Sequence, residues 1–185
     1  MLKLVSMGTF FLIVGIFMTS TIDARSKSVD AVKDIDFEQF SGTWYEIARL
    51  PNKHEKELVE VTSTFTRTKD GRYAVVNRGY KGSRGGKCTT LKGDVVIPDP
   101  KVKGAMKLKV WWLDIDYRVI HLDQDKYQYA VISSENKNYL WIMSKEPIMD
   151  PERYEYLVNT ARKQGYKVDN LEKVQQIHNS AVARR

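Results

Sequence analysis

Residues able to do covalent or metal chemistry are few and far apart in this chain. Cys88 is its only cysteine, set among Lys87, Thr89 and Thr90 with no histidine near it in sequence. It reads as a small inert residue before it reads as a nucleophile. His54, His121 and His178 are too scattered for a zinc signature. One thiol also excludes an intramolecular disulfide, a cysteine-based zinc site and an iron–sulfur cluster. The run from Gly79 to Gly86 is glycine-rich, but it lacks the Gly-Lys-Ser/Thr ending and the following helix of a phosphate loop. No Ser-His-Asp spacing or carboxylate pair stands out. The reading is a protein that is not an enzyme and holds no cofactor and no metal. What remains is binding chemistry, carried by aromatic and branched apolar side chains with few polar groups between them.

Those side chains fall in short runs at 42–50, 57–66, 72–80, 87–97, 105–112, 117–122, 127–133 and 139–144. The runs are rich in Val, Ile, Thr and aromatics and are separated by turn chemistry: Lys69-Asp70-Gly71, the loop from Lys81 to Gly86, Pro98-Asp99-Pro100, and Ser134 to Asn138. Gly, Asn and Asp accept the positive φ of tight hairpins. Eight strands at this spacing with no helix between them predict an all-β sandwich or up-and-down barrel with antiparallel pairing. One helix is expected over 151–164. Asp150 is its N-cap and Pro151 opens its first turn; Tyr154, Leu157, Val158 and Ala161 form its apolar stripe, and Gly165 ends it. The narrow stripe predicts a helix packed outside the sheet.

The chain has 185 residues, with 30 Lys+Arg against 23 Asp+Glu and a net charge of +7. That surplus suits an acidic partner or an anionic bilayer surface and does not announce a nucleic-acid binder. At the N-terminus Lys3 precedes an apolar run from Leu4 to Met18, followed by small and polar residues. This reads as a secretory signal peptide over 1–24, cleaved after Ala24 or after Ser20, and the run is shorter than a membrane span needs. The expected organisation is an extension over 25–35, a folded domain over 36–177 and a tail over 178–185. An exported protein follows, periplasmic in a Gram-negative cell and otherwise secreted. A homodimer is left open.

The segment Phe40-Ser41-Gly42-Thr43-Trp44-Tyr45-Glu46-Ile47-Ala48-Arg49 resembles the Gly-x-Trp opening signature of the lipocalins. Asp125 and Tyr127 stand where that family has an Asp-Tyr hairpin motif, and Tyr139 to Pro147 resembles its eighth-strand motif. The pattern is similar to the group holding the bacterial outer-membrane lipocalins, apolipoprotein D and the temperature-induced lipocalins. The resemblance spans about 34–176 and implies an eight-stranded antiparallel barrel that carries a lipid such as a fatty acid or lysophospholipid. It also leaves two other readings: a thiol-dependent isomerase using Cys88, and a stress or envelope factor acting through a protein partner. Two departures matter. Lys145 stands where the family has Arg, which implies a less rigid closed end. No N-terminal cysteine is present to carry the lipid anchor of the bacterial relatives.

In such a barrel, alternation assigns the inner face. With Trp44 inward, Glu46 and Ala48 follow, then Val59, Val61, Ser63 and Phe65, and Val75 with Asn77. Met106, Leu108, Val110 and Trp112 come next, then Tyr117, Val119 and His121, then Gln128, Ala130 and Ile132, and finally Tyr139, Trp141 and Met143. The ligand wall expected from these is Glu46, Val61, Phe65, Asn77, Leu108, Val110, Trp112, Tyr117, Val119, His121, Tyr139, Trp141 and Met143, together with Phe40. The family's ligand positions correspond to Phe65, Asn77, Val110 and Trp141. Gly42, Trp44, Asp125, Tyr127 and Lys145 are expected to be structural, with Trp44 plugging the closed end. Loops at the open end place Lys53 and Lys56 on the rim with Lys81, Arg84 and Lys87. Asp114 and Asp116 are expected in the third mouth loop, and Glu135 and Lys137 in the fourth.

Overall fold

The computed structural model describes residues 30–176, apart from 84 and 136. The expected signal peptide 1–24, the tail 178–185 with His178, and Arg84 lie outside the described residues. A short helix α1 (Phe37–Phe40) leads into eight strands: β1 (Gly42–Arg49), β2 (Leu58–Arg67), β3 (Tyr73–Lys81), β4 (Cys88–Val96), β5 (Ala105–Val110), β6 (Leu113–Leu122), β7 (Tyr129–Ser133) and β8 (Leu140–Ser144). Each pairs antiparallel with the next, and β1 pairs with both β2 and β8. The sheet is therefore closed into the expected barrel. Helix α2 (Pro151–Lys163) and a two-residue strand β9 (Glu172–Lys173) follow outside it.

The barrel wall separates two apolar clusters. Inside lie Trp44, Phe65, Val75, Met106, Leu108, Val119, Ala130, Ile132 and Met143. Outside, Leu157, Val158 and Ala161 of α2 pack on Ala48, Val131, Leu140 and Ile142. The Asp150 side chain accepts from the Glu152 and Arg153 amides, and Gly165 takes φ 87 just past the helix end, so both helix ends form as the residue types dictate.

One end of the barrel is shut. Phe37 and Phe40 of α1 stack under it, with Phe40 5.0 Å from both Trp44 and Phe65 and Phe37 5.0 Å from Tyr73. The Asp36 amide donates to the Tyr127 hydroxyl at 3.0 Å. Upstream, Val32 bonds the Val119 carbonyl while Gly104 bonds Val32, where any Cβ would come within 2.5 Å of the Val32 carbonyl oxygen. At the other end β2 leaves β1 after the Tyr45–Thr62 pair. Residues 172–176 fill that gap: β9 pairs with Ala48 and Arg49, the Glu60 amide donates to the Gln175 carbonyl, and the Gln176 amide bonds the Glu46 and Val61 carbonyls.

Three irregularities overturn parts of the alternation. The register slips between Glu46 and Ala48 in β1, between Val59 and Thr62 in β2, and between Val119 and His121 in β6. Each slip exchanges the faces beyond it. Ala48 therefore lies under α2 and Arg49 turns inward. Val59, paired with Tyr80, faces out. His121 lies outside the barrel, stacked on Tyr129 at 6.1 Å and edge-on to Tyr156 of α2 at 5.5 Å. Gln128 is exposed in the β6–β7 loop, ahead of β7. A fourth correction concerns β5, which stops at Val110. Val110 pairs with Leu113, so Trp111 and Trp112 form the hairpin turn and are 80 % and 82 % exposed. Trp112 is thus not inside, and Asp114 and Asp116 belong to β6 rather than to a mouth loop.

Candidate ligand-binding site

The strand directions put the β1–β2, β3–β4, β5–β6 and β7–β8 loops at the open end. Below them an aromatic series runs inward. Tyr139 stacks on Trp141 at 5.6 Å, Trp141 on Tyr117 at 6.3 Å, and Tyr117 lies 5.9 Å from Phe65 near the closed end. Of the residues expected on the wall, Val61, Phe65, Leu108, Val110, Tyr117, Val119 and Met143 are buried, and Asn77, Tyr139 and Trp141 are half-buried. Phe40 is buried too, as part of the floor. The structure adds Leu91 and Val95 of β4, which pair with the inward Asn77 and Tyr73.

A polar group crosses the upper half of this interior. Glu46 and Arg49 are 2 % and 4 % exposed, and Arg49 Nη1 donates to Glu46 Oε1 at 2.8 Å. On an unbroken strand residues three apart face opposite sides; the β1 slip brings these two together. Arg49 Nη2 donates to the Glu55 carbonyl at 2.7 Å and the Leu58 carbonyl at 3.1 Å. The Glu55 side chain comes from the β1–β2 loop and accepts from Trp141 Nε1 at 2.9 Å and from Asn52 Nδ2 at 2.6 Å. Asn52 in turn accepts from the His54 and Glu55 amides, a turn that its residue type favours. Burial, and next the charge of Glu55, push the Glu46 carboxyl up to about 8 against the pull of Arg49. Burial and the charge of Glu46 likewise raise the Tyr117 hydroxyl. Arg49 Nε and Asn77 Oδ1 have no hydrogen-bond partner among the described residues. The sequence pattern named Glu46 but missed Arg49, Asn52 and Glu55.

The motif residues hold the closed end. Trp44, 1 % exposed, donates from Nε1 to the Phe40 carbonyl at 2.7 Å. The Lys145 ammonium lies 4.4 Å from the Trp44 ring centre and bonds the Phe40 and Ser41 carbonyls. It thus makes a cation–π contact and bonds two carbonyls without the planar fork of an arginine. Gly42 takes φ 94 beside it. At the β6–β7 turn Asp123, rather than the exposed Asp125, accepts from the backbone. Cys88 is exposed at the start of β4, opposite Tyr80, with its sulfur 3.8 Å from Thr90 Oγ1. Its thiol faces away from the interior.

The family model described as a lipocalin-like domain matches residues 35–176. The chain is a lipocalin. Temperature-induced lipocalin-1 of Arabidopsis thaliana is 34 % identical over 162 residues, covering 82 % of this chain and 85 % of that one. The outer membrane lipoprotein Blc of Vibrio cholerae is 29 % identical over 171 residues, covering 92 % and 99 %. Among solved structures, insecticyanin from the tobacco hornworm superposes with a TM-score of 0.64 at 19 % identity, covering 83 % and 86 %. Membership of this family makes the lipocalin a binder of small hydrophobic molecules, in line with the apolar wall and with a non-catalytic role.

Proposed function

We propose that this lipocalin is an exported carrier of an acyl lipid, a fatty acid or a lysophospholipid, held inside the barrel. The observation that carries the reading is the interior itself: an apolar wall above a sealed aromatic floor, with the stacked rings of Tyr139, Trp141 and Tyr117 between rim and floor. Burying a methylene group gains ~0.8 kcal/mol, so a chain of ~16 carbons gains up to about 12 kcal/mol gross. Ordering and association costs of several kcal/mol leave roughly the 8 kcal/mol of a micromolar ligand. Titrating delipidated protein with palmitate or a lysophospholipid should change tryptophan emission saturably, and Trp141→Ala should weaken binding by more than ~1 kcal/mol. A titration with no saturable signal and no displacement of a fluorescent acyl probe would sink the carrier reading.

The same rim supports a peripheral contact with anionic membranes. Lys53, Lys56, Lys81 and Lys87 stand at the open end, where the exposed Trp111 and Trp112 stack on one another at 5.7 Å. Tryptophan favours the membrane–water boundary, and electrostatics of this kind act on rate and salt dependence more than on affinity. Changing Lys81 and Lys87 to Gln should slow acyl uptake from anionic vesicles several-fold at low salt and leave neutral vesicles unaffected. Equal rates on anionic vesicles would remove the rim from the mechanism.

A further inference from the structure

The β1–β2 loop does something in this barrel that carrying an acyl chain does not require: it sends a carboxylate inward. Glu55 reaches the indole N–H of Trp141, a residue 86 positions away on β8. It also takes the Asn52 amide, while its backbone carbonyl takes Arg49. Every group that faces this carboxylate is a hydrogen-bond donor or can act as one. Trp141 offers only a donor, and Arg49 has a further N–H, Nε, with no acceptor among the described residues although the side chain is 4 % exposed. Glu46 retains its proton at neutral pH, because burial and the neighbouring carboxylate disfavour its ionised form. The charges facing Glu46 are Arg49 on its own strand and Glu55 on the loop; Tyr117 on β6 faces it in neutral form. Two carboxyl groups and one guanidinium thus share this part of the interior.

We propose that Glu55 occupies the subsite for the ligand's own acid group, and that a monoanionic carboxylate at the end of an acyl chain displaces it. The incoming carboxylate takes over the Trp141 Nε1 donor and finds the unused Arg49 Nε, and Glu55 leaves with its loop for water. The exchange is one carboxylate for another, so the charge of the interior does not change. A hydroxyl head group can also accept from the Trp141 N–H, but as a neutral acceptor it makes weaker bonds than a carboxylate and leaves the Arg49 charge unbalanced once Glu55 has left. The carboxylate end is selected and the chain length is not. This inference rests on the carrier reading and sharpens it.

The test compares palmitate with hexadecanol, which differ at the head alone, by displacement of a fluorescent acyl probe from the whole protein. Glu55→Ala should bind palmitate about tenfold tighter than wild type, because the internal competitor is gone. Trp141→Phe keeps the ring and loses the N–H, and should lower the palmitate-to-hexadecanol affinity ratio about tenfold. Palmitate affinity unchanged or weakened in Glu55→Ala overturns the displacement. A ratio unmoved by Trp141→Phe overturns the acid subsite while leaving the carrier reading standing. Failure of both ligands to bind wild type and Glu55→Ala overturns the carrier reading, and this inference with it.

Discussion

Replacing Trp44 by Ala is expected to remove about 3–5 kcal/mol of stability, lowering the melting temperature by roughly 10 °C for a domain of this size. Trp44 is 1 % exposed, packs at 5.0 Å on Phe40 and bonds the Phe40 carbonyl. Its loss leaves a large void between α1 and the floor of the barrel and takes a donor from that carbonyl. It also strips the ring from beneath Lys145, 4.4 Å away. Lys145→Arg is the contrasting change. The guanidinium stacks and can reach both carbonyls that lysine already bonds, so that variant should melt at or above the wild-type temperature. Thermal unfolding of the two variants checks both statements. A Trp44→Ala protein that melts within a few degrees of wild type would show that the closed end does not depend on the plug.

The closed end was legible in the sequence because its residues lie on stretches of strand that no register slip interrupts, on the closed-end side of the slips in β1 and β2. Trp44, Phe65, Val75, Met106, Leu108 and Met143 all point where period two places them. What escaped lies beyond a slip or inside a turn. His121 follows the irregularity in β6, and Arg49 and Ala48 follow the one in β1. A bulge leaves little compositional trace, since one extra residue in a Val- and Ile-rich run looks like more strand. Trp111 and Trp112 misled for another reason. Tryptophan is a poor choice for a two-residue turn, and Trp111 sits at φ 52, a conformation rare for bulky side chains. Glu55 was invisible because nothing in a polar loop marks the one side chain that folds inward; Asn52, the residue that shapes the turn, was the readable clue.

The Glu46 carboxyl should make the stability of the whole barrel depend on pH in a direction opposite to that of an ordinary paired acid. Its ordinary value is 4.5, and in the folded protein burial and the Glu55 charge hold it near 8. Between those values the native chain keeps a proton that the unfolded chain has released. Raising the pH therefore favours unfolding: the contribution is fully present below about 4.5, shrinks through neutrality, and is lost above about 8. At ~1.4 kcal/mol per unit the full span is roughly 4–5 kcal/mol. Lys145 acts the other way in the next interval, because burial draws its ammonium down to about 8. Stability tied to that group returns as the pH climbs from 8 toward 10.5, so Glu46 is best isolated between pH 5 and 8. Glu46→Gln retains an acceptor for Arg49 and has no proton to lose. Its melting temperature should lack the decline that the wild type shows from pH 5 to 8, leaving the rise that burial of His121 gives both proteins as its ring loses its proton, and the variant should be the more stable protein at pH 8. Parallel profiles for the two proteins would show that Glu46 titrates near its ordinary value and that the buried pair with Arg49 is a full ion pair at neutral pH.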